Sequence, residues 1–176
     1  KEGIRFAVEA TEALHVYIFN VDTAEEASCL FPNHFETLWA RDRAKGTVQG
    51  NPPRNPLAPA GGTVLVPPVV TKAGGGREAW WYTADESVGR EWFLLAASRG
   101  PIAELEALRK RPDLAERAAE LRGLAAKWSA EMLPTGSGSA AGLLLERFPG
   151  ERAVAPGLAR SLARDRAVWT LELDHK

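Results

Sequence analysis

The segment formed by residues 13–21 is apolar on both faces through its middle, and this feature most limits how the chain can fold. A strand with one solvated face alternates apolar and polar residues, whereas a strand covered on both sides does not. Residues 13–21 are therefore predicted to form a central strand buried between two layers. Residues 27–31 are predicted to return as the second strand of a hairpin, which ends at Pro32-Asn33 because proline cannot donate to the ladder.

Short strands separated by Gly- and Pro-rich turns are predicted across the first hundred residues. Residues 5–10 alternate, with Phe6 and Val8 on one face. Further strands are predicted at residues 63–66, 79–83 and 91–98. Between them, residues 34–62 contain four prolines and four glycines, and they are predicted to form one long loop of the functional or flexible kind.

The hydrophobic period changes to that of a helix after residue 98. Ile102, Leu105 and Leu108 lie at helical spacing behind Pro101, which the first turn of a helix tolerates. A second helix is predicted from its N-cap residue Asp113 to residue 133. It carries a single apolar stripe, made of Leu114, Ala118, Leu121, Ala125, Trp128 and Met132.

This apolar stripe has two interpretations. In the first interpretation, the stripe docks on the domain's own sheet, as the apolar face of a helix normally does. Alternatively it pairs with another chain, since a seven-residue period is also the seam of a coiled coil. The stripe spans fewer than three heptads and contains two alanines, which favours docking within the chain.

The order of these elements predicts the fold class. Residues 140–148 and 157–163 are predicted to be short helices, and residues 168–174 a closing strand that returns to the sheet. Strands, then helices, then a strand indicate an α+β fold: mainly an antiparallel β-sheet or β-sandwich (residues 4–98 plus the C-terminal strand) with a helical segment around residues 102–163. We expect a single domain over residues 1–176, with a β-rich part at 1–100, a helical segment at 101–163 and the closing strand at 166–175.

The composition excludes several classes of protein. The chain has 176 residues with 22 Lys and Arg against 23 Asp and Glu, so no overall charge favours binding to nucleic acid. No apolar run approaches the ~20 residues that span a bilayer, so no membrane insertion is expected. One cysteine cannot form an internal disulfide. The chain starts at Lys1 without an initiator Met, and we expect it to be a piece of a longer protein.

Cys29 with His34 is the only pairing that suggests nucleophilic catalysis. A thiolate nucleophile needs a base within reach, and no third residue that would orient the base is evident. A free cysteine in a strand is more often a buried, structural residue than a catalytic one. The three histidines lie on separate segments without metal-ligand spacing, and the Gly-rich segments lack the residues of a phosphate loop. We therefore expect no catalytic residue, no metal and no cofactor.

The aromatic residues supply the candidate binding residues. Trp80 and Trp81 are adjacent in a predicted strand, so we expect them to point to opposite faces, with one of them either exposed or covered by the loop of residues 34–62. Exposed Trp side chains stack on sugar rings or anchor protein partners. The predicted binding residues are Trp80, Trp81, Trp39 and Asn33.

Two motifs carry a resemblance to a known family. The run Val16-Tyr17-Ile18-Phe19-Asn20-Val21-Asp22 is followed by Leu30-Phe31-Pro32-Asn33. Further on come Val64-Leu65-Val66-Pro67-Pro68, then residues 92–98, then Gly100-Pro101-Ile102. Over residues 4–110 the chain resembles a bacterial domain-of-unknown-function family with a Tyr-x-x-Phe-Asn strand and a Leu-Phe-Pro-Asn signature. Residues 34–59 depart from the family pattern because they are longer and Pro-rich, although Asn55-Pro56-Leu57 to Gly61 resembles the expected Asn-x-Leu-x-x-Gly.

The resemblance implies an accessory module, because such domains are appended to bacterial Ser/Thr kinases, caspase-like peptidases and surface proteins. It favours the periplasm or cell surface and implies no binding residues. The residues of Leu-Phe-Pro-Asn themselves indicate a structural signature, with Leu30 and Phe31 on opposite faces and Asn33 closing a turn. Three hypotheses follow. The first is a non-catalytic accessory domain that binds a protein partner or the rest of its own chain. The second is a glycan- or peptidoglycan-binding module, and the third is a Cys29/His34 thiol enzyme.

Overall fold

The structure, a computed structural model, describes residues 3–83, 89–131, 143–148, 151–154 and 166–175. The strands within these residues are β1 (Gly3–Glu9), β2 (His15–Val21), β3 (Ala27–Phe31), β4 (Thr63–Val66), β5 (Val69–Thr71), β6 (Arg77–Ala79), β7 (Tyr82–Thr83), β8 (Gly89–Ser98), β9 (Leu143–Phe148), β10 (Glu151–Val154) and β11 (Arg166–His175). The helices are α1 (Asn33–Ala44), α2 (Ala103–Leu108) and α3 (Ala118–Glu131), and a 3-10 turn covers Leu114–Arg117.

Two antiparallel sheets face each other as a β-sandwich. One sheet has the order β10-β9-β1-β4, and β7 also pairs with β1. The other has the order β11-β8-β2-β3. Apolar residues from both inner faces form one core, among them Phe6 of β1, Ile18 of β2, Val64 of β4, Phe93 of β8 and Trp169 of β11. The predicted sandwich, and the return of the C-terminal strand to the sheet, are confirmed.

The helices cover the outer face of the four-stranded sheet. The second core cluster joins Tyr17 and Phe19 of β2 to residues on α2 and α3, namely Leu105, Leu108, Ala118, Leu121, Ala125 and Trp128. Strand β2 is therefore buried on both faces, as its unbroken apolar sequence predicts. Because Leu121 and Trp128 are buried in this cluster, the apolar stripe docks on the domain's own sheet. The α+β class is confirmed; Met132 lies outside the described residues.

The segment predicted as one long loop begins with a helix. Helix α1 occupies Asn33–Ala44, and Phe35, Leu38 and Trp39 bring its inner side against the sandwich. These three residues have the i, i+3, i+4 spacing of a helix, but the prolines that follow obscure it. The remainder is held without regular structure: the Asn55 side chain accepts a hydrogen bond from Val16 N (2.9 Å) and donates one to Val16 O (2.8 Å).

Two other elements differ from the sequence prediction. Residues 143–148, predicted as helix, form strand β9 in the ladder with β1, and β10 follows within the segment predicted to be helical. A short apolar run fits either element, and here pairing with β1 decides it. The predicted strand at 79–83 is interrupted, because β6 ends at Ala79 and β7 begins at Tyr82. The prediction of a helix at 157–163 falls outside the described residues.

The Leu-Phe-Pro-Asn signature contains an irregularity that its sequence hides. Ile18 pairs with Phe31 and the next residue, Phe19, pairs with Cys29, so Leu30 is the extra residue of a β-bulge. Phe31 lies in the sandwich core and Leu30 packs against the same core. The expectation that these two side chains occupy opposite faces is therefore wrong. In the part of the chain that the structure describes, no helix is long and apolar enough to cross a membrane.

Candidate functional site

The inner face of the four-stranded sheet changes from apolar to polar at one end. Along β2, Asn20 follows the buried Ile18 on the same face. Asn20 lies directly opposite Ser28 on β3 and opposite Phe93 on β8. The inner side of the sandwich therefore ends in polar groups that a continuous apolar core would not contain.

These polar groups line a cleft of about 260 Å³ between the sheets. Residues from both sheets, from the segment before β7 and from α1 enclose it. We call this space the inter-sheet cleft; its lining residues are Ile4, Asn20, Asp22, Ser28, Leu30, His34, Leu38, Trp81, Tyr82, Glu91 and Phe93. The cleft combines apolar side chains with polar groups drawn from five separate segments.

Two of the polar lining residues are fixed by hydrogen bonds. The Asn20 side chain, 8% exposed, donates from Nδ2 to Glu91 Oε2 at 2.9 Å. Oδ1 of Asp22 accepts hydrogen bonds from the backbone N–H groups of Ala24 and Glu26, each at 2.9 Å. This second arrangement holds the β2–β3 turn and fixes the Asp22 carboxylate at the cleft. These hydrogen bonds hold the carboxylates of Asp22 and Glu91 at the cleft without a ligand.

Tyr82 is the exception among the buried polar groups of the cleft. Its side chain is 7% exposed, and its buried hydroxyl has no hydrogen-bond partner in the part of the chain that the structure describes. Burial raises the pKa of Tyr82 well above its usual value of 10, so the phenol is neutral at physiological pH. A buried hydroxyl without a partner costs about 1–3 kcal/mol, so it is a group that a ligand can satisfy.

The three tryptophans predicted to bind have different surroundings. Trp80 contacts Phe35 in a tilted arrangement, with ring centroids 5.4 Å apart and an interplanar angle of 59°, and Trp39 packs partly buried against the same core. Trp81 lines the cleft, and the Arg5 guanidinium lies 4.4 Å from the centroid of its ring. Trp81 is thus the predicted tryptophan that the structure brings to the cleft. A tryptophan-based glycan platform stays a prediction.

Cys29 and His34 lie on different sides of β3. Cys29 is buried in the cluster beneath the helices, and its Sγ donates to the carbonyl oxygen of Phe31 at 3.2 Å. Burial raises the pKa of this thiol to about 12. His34 stands exposed at the rim of the cleft, where partial desolvation by its neighbours and, secondarily, the charge of Arg41 lower its pKa below 6.5. Among the described residues, no group of three or more His, Cys, Asp or Glu could hold a metal ion.

Asn33 fastens two helices together. Its Nδ2 donates to the carbonyl oxygen of Arg109 at 2.6 Å, and its Oδ1 accepts from the Arg109 guanidinium at 3.0 Å. Asn33 is therefore engaged in joining the start of α1 to the end of α2. The structure does not bring it to the cleft.

The tyrosine of the Tyr-x-x-Phe-Asn motif also holds α2. The Tyr17 hydroxyl donates to Glu106 Oε1 at 2.9 Å and accepts from Ile102 N at 3.3 Å. Burial first, and then the bond to Glu106, raise the pKa of Tyr17 to about 12. Burial opposes ionisation of Glu106, but its hydrogen bonds from Tyr17 and Arg109 outweigh this effect and lower its pKa below 4.5. Within this motif, the Tyr17 side chain thus contacts the helices, whereas Asn20 lines the cleft on the opposite face of β2.

A second concavity, of about 600 Å³, lies between the end of α1 and the β5–β6 hairpin. Four of its charged side chains form ion pairs: Arg41 Nε lies 2.8 Å from Asp42 Oδ1, and Lys72 Nζ lies 3.2 Å from Glu78 Oε1. These pairs are exposed and individually weak. This concavity lacks the unsatisfied buried group that distinguishes the inter-sheet cleft.

Comparison with known proteins identifies the family. A family model described as a domain of unknown function, DUF4384, matches residues 1–101, which is more than half of the chain. The chain belongs to the DUF4384 family. The resemblance to a domain-of-unknown-function family is thereby confirmed. Comparisons with curated proteins and with solved structures found no match.

The DUF4384 match ends just before α2, which begins at Ala103. Yet Tyr17 and Asn33, both within the matched region, make their side-chain hydrogen bonds to residues of and just after α2. Sequence reasoning missed Asn20, Asp22, Glu91 and Tyr82 as site residues. The available signal was a polar residue at an inner-face position of an otherwise apolar strand, which Asn20 shows most plainly.

Proposed function

We propose that this chain is a non-catalytic accessory domain of a larger bacterial signalling or envelope protein. It recognises a protein partner, or another part of its own full-length chain, through the inter-sheet cleft. The observation that carries this proposal is Tyr82, a lining residue of the cleft whose buried hydroxyl has no hydrogen-bond partner among the described residues. Buried polar groups are almost always paired, so an unpaired one at a cleft is explained by a ligand that supplies the missing bond.

The size of the cleft favours one side chain as its occupant. Pockets for drug-sized ligands measure about 300–1,000 Å³, whereas this cleft measures about 260 Å³. Protein partners commonly insert one anchoring side chain into a desolvated pocket, and the surrounding contacts exclude water. Leu38 and Trp81, both partly exposed at the cleft, offer apolar surface for such contacts.

The positions of the motif residues and of Cys29 support a binding role over a catalytic one. Tyr17 and Asn33 are engaged in docking α2. A cysteine nucleophile needs an accessible, ionised thiol, whereas Cys29 is buried on the face of β3 that meets the helices.

The proposal is tested by asking whether the cleft binds single side chains. The 176-residue chain is titrated by calorimetry with N-acetyl amino-acid amides that represent basic, acidic, aromatic, aliphatic and uncharged polar side chains. A Ser28→Phe variant fills the cleft from the exposed part of β3. We expect at least one class of probe to bind the parent chain and to lose most of its affinity for Ser28→Phe.

The matched control is Thr170→Phe, the same enlargement of an exposed strand residue outside the cleft. This variant should bind the probe as the parent does. Either of two results would overturn the proposal: no class of probe binds the parent chain, or Ser28→Phe binds as well as Thr170→Phe while both variants melt cooperatively.

A further inference from the structure

We infer that the inter-sheet cleft takes the basic side chain of a Lys or Arg from the partner. This inference rests on the proposed function and specifies the chemistry of the occupant. It depends on three features of the cleft: the sign of its charge, its excess of hydrogen-bond acceptors and its apolar wall.

The charged groups that line the cleft are acidic. Asp22 and Glu91 are both lining residues, and no Lys or Arg is among the described residues of the lining. Partial desolvation, and secondarily the charge of Arg41, lower the pKa of His34, which disfavours its charged form. Charge complementarity selects partners, and placing a like charge opposite the two carboxylates would be unfavourable. The cleft therefore favours a cation over an anion.

The polar atoms of the cleft are mainly acceptors. The backbone bonds of Asp22 use Oδ1, so its Oδ2 can accept a further bond. Asn20 donates from Nδ2 to Glu91 and thus has Oδ1 as an acceptor. The Tyr82 hydroxyl can also accept. An ammonium or guanidinium group, which only donates, matches this arrangement.

The apolar wall fits the stem of a basic side chain. Leu30, Leu38 and Trp81 line the same cleft as the carboxylates. Lys and Arg bury their methylene stems on apolar surface and keep the charged end among polar groups. A cation near an indole ring is also attracted to its π face, as Arg5 already is at one side of Trp81.

The test compares probes that differ only in charge. The 176-residue chain is titrated with N-acetyl-lysine amide, with N-acetyl-norleucine amide, which keeps the stem but lacks the ammonium group, and with N-acetyl-glutamate amide. We expect the lysine probe to bind at least about tenfold tighter than the norleucine probe, since a hydrogen bond to a charged group contributes roughly 1.5–3 kcal/mol. The arginine probe should share this preference.

Two variants locate the interaction, and one serves as a control. Asp22→Asn keeps an acceptor for the β2–β3 turn and should weaken the lysine probe about tenfold while leaving the norleucine probe unchanged. Tyr82→Phe should weaken the lysine probe severalfold. Glu116→Gln removes one exposed carboxylate from the 3-10 turn, outside the cleft, and should change neither affinity.

The outcomes separate this inference from the proposed function. If the norleucine or glutamate probe binds the cleft as tightly as the lysine probe, the basic side chain is the wrong occupant and the recognition function stands. If Glu116→Gln weakens the lysine probe as much as Asp22→Asn does, the attraction is a general charge effect and the inference is wrong. If no probe of any class binds, both the inference and the proposed function are wrong.

Discussion

Tyr17 and Tyr82 are both buried tyrosines, but their hydroxyl groups have opposite fates. The Tyr17 hydroxyl bonds to Glu106 and to the backbone N–H of Ile102. The Tyr82 hydroxyl bonds to no described residue. The unsatisfied Tyr82 hydroxyl destabilises the unliganded fold, and the proposed binding of a ligand at the cleft explains why a tyrosine occupies this position.

This difference predicts opposite effects of the same substitution. Tyr82→Phe removes an unsatisfied buried hydroxyl and should raise the free energy of unfolding by about 1 kcal/mol. Tyr17→Phe removes one of the hydrogen bonds to Glu106 and leaves Ile102 N without its side-chain partner, so it should lower the free energy of unfolding by about 1–2 kcal/mol. Urea denaturation of both variants measures these changes. A loss of stability in Tyr82→Phe equal to that in Tyr17→Phe would show that the Tyr82 hydroxyl is satisfied in solution.

Cys29 gives a prediction about reactivity. Burial raises the pKa of the Cys29 thiol to about 12, so the thiol is almost entirely un-ionised at pH 8, and the side chain is buried as well. Iodoacetamide should therefore leave the native chain unlabelled at pH 8 and label it rapidly in denaturant. Labelling of the native chain at the rate of a free cysteine would support the thiol-enzyme hypothesis over the accessory domain.

At the scale of elements, α3 contributes to the stability of the domain through its buried side. Leu121 is fully buried between α3 and the four-stranded sheet. Leu121→Ala should lower the free energy of unfolding by about 2–5 kcal/mol, the usual range for such a truncation. The neighbouring Lys127→Ala, on the exposed side of α3, should change it by less than about 0.5 kcal/mol.

Thermal melts and light scattering distinguish this prediction from the coiled-coil alternative. If the stripe served a second chain, Leu121→Ala would keep the melting temperature of the domain and abolish self-association. Because Leu121 is buried within its own chain, we expect Leu121→Ala to lower the melting temperature and to leave self-association unchanged.

The sequence predicted the elements whose periodicity is long or unbroken. Strand β2, with two apolar faces, and the stripe of α3 follow directly from residue spacing. Helix α1 was missed because its three apolar residues precede a Pro-rich segment, and β9 was assigned to helix because a run of leucines has no period of its own. Pairing with β1, which is distant in sequence, decides the structure of β9.

Of the residues that line the cleft, the sequence predicted one, Trp81, as a binding residue. The remaining lining residues lie on segments from Ile4 to Phe93. Pairing of β2 with β3 and β8 places Asn20 beside Ser28 and Phe93, and pairing of β1 with β7 places Ile4 beside Tyr82. The β-bulge at Leu30 also places the side chains of Leu30 and Phe31 against the same core. The sequence Leu-Phe-Pro-Asn contains no pattern that predicts this bulge. Local patterns do not contain these long-range positions.

At the scale of the whole molecule, the folding unit extends beyond the family match. Residues 1–101 contain the four-stranded sheet without β11 and without the helices that cover its outer face. A chain truncated after residue 101 would expose Tyr17, Phe19, Leu94 and Ala96 to water. It should bind the dye ANS and lack a cooperative thermal transition, whereas the 176-residue chain should melt cooperatively. A truncated chain that melts at the same temperature would contradict this account of the fold.

The inter-sheet cleft is the proposed recognition site of this domain. Chemical-shift mapping by NMR tests it most directly, with the ¹⁵N-labelled 176-residue chain titrated separately with N-acetyl-lysine amide, N-acetyl-norleucine amide and N-acetyl-glutamate amide. We expect saturable shifts, largest with the lysine probe, at the amides of Asn20, Ser28 and Leu38 and at the indole of Trp81. Saturable shifts centred on another surface would contradict the proposed site.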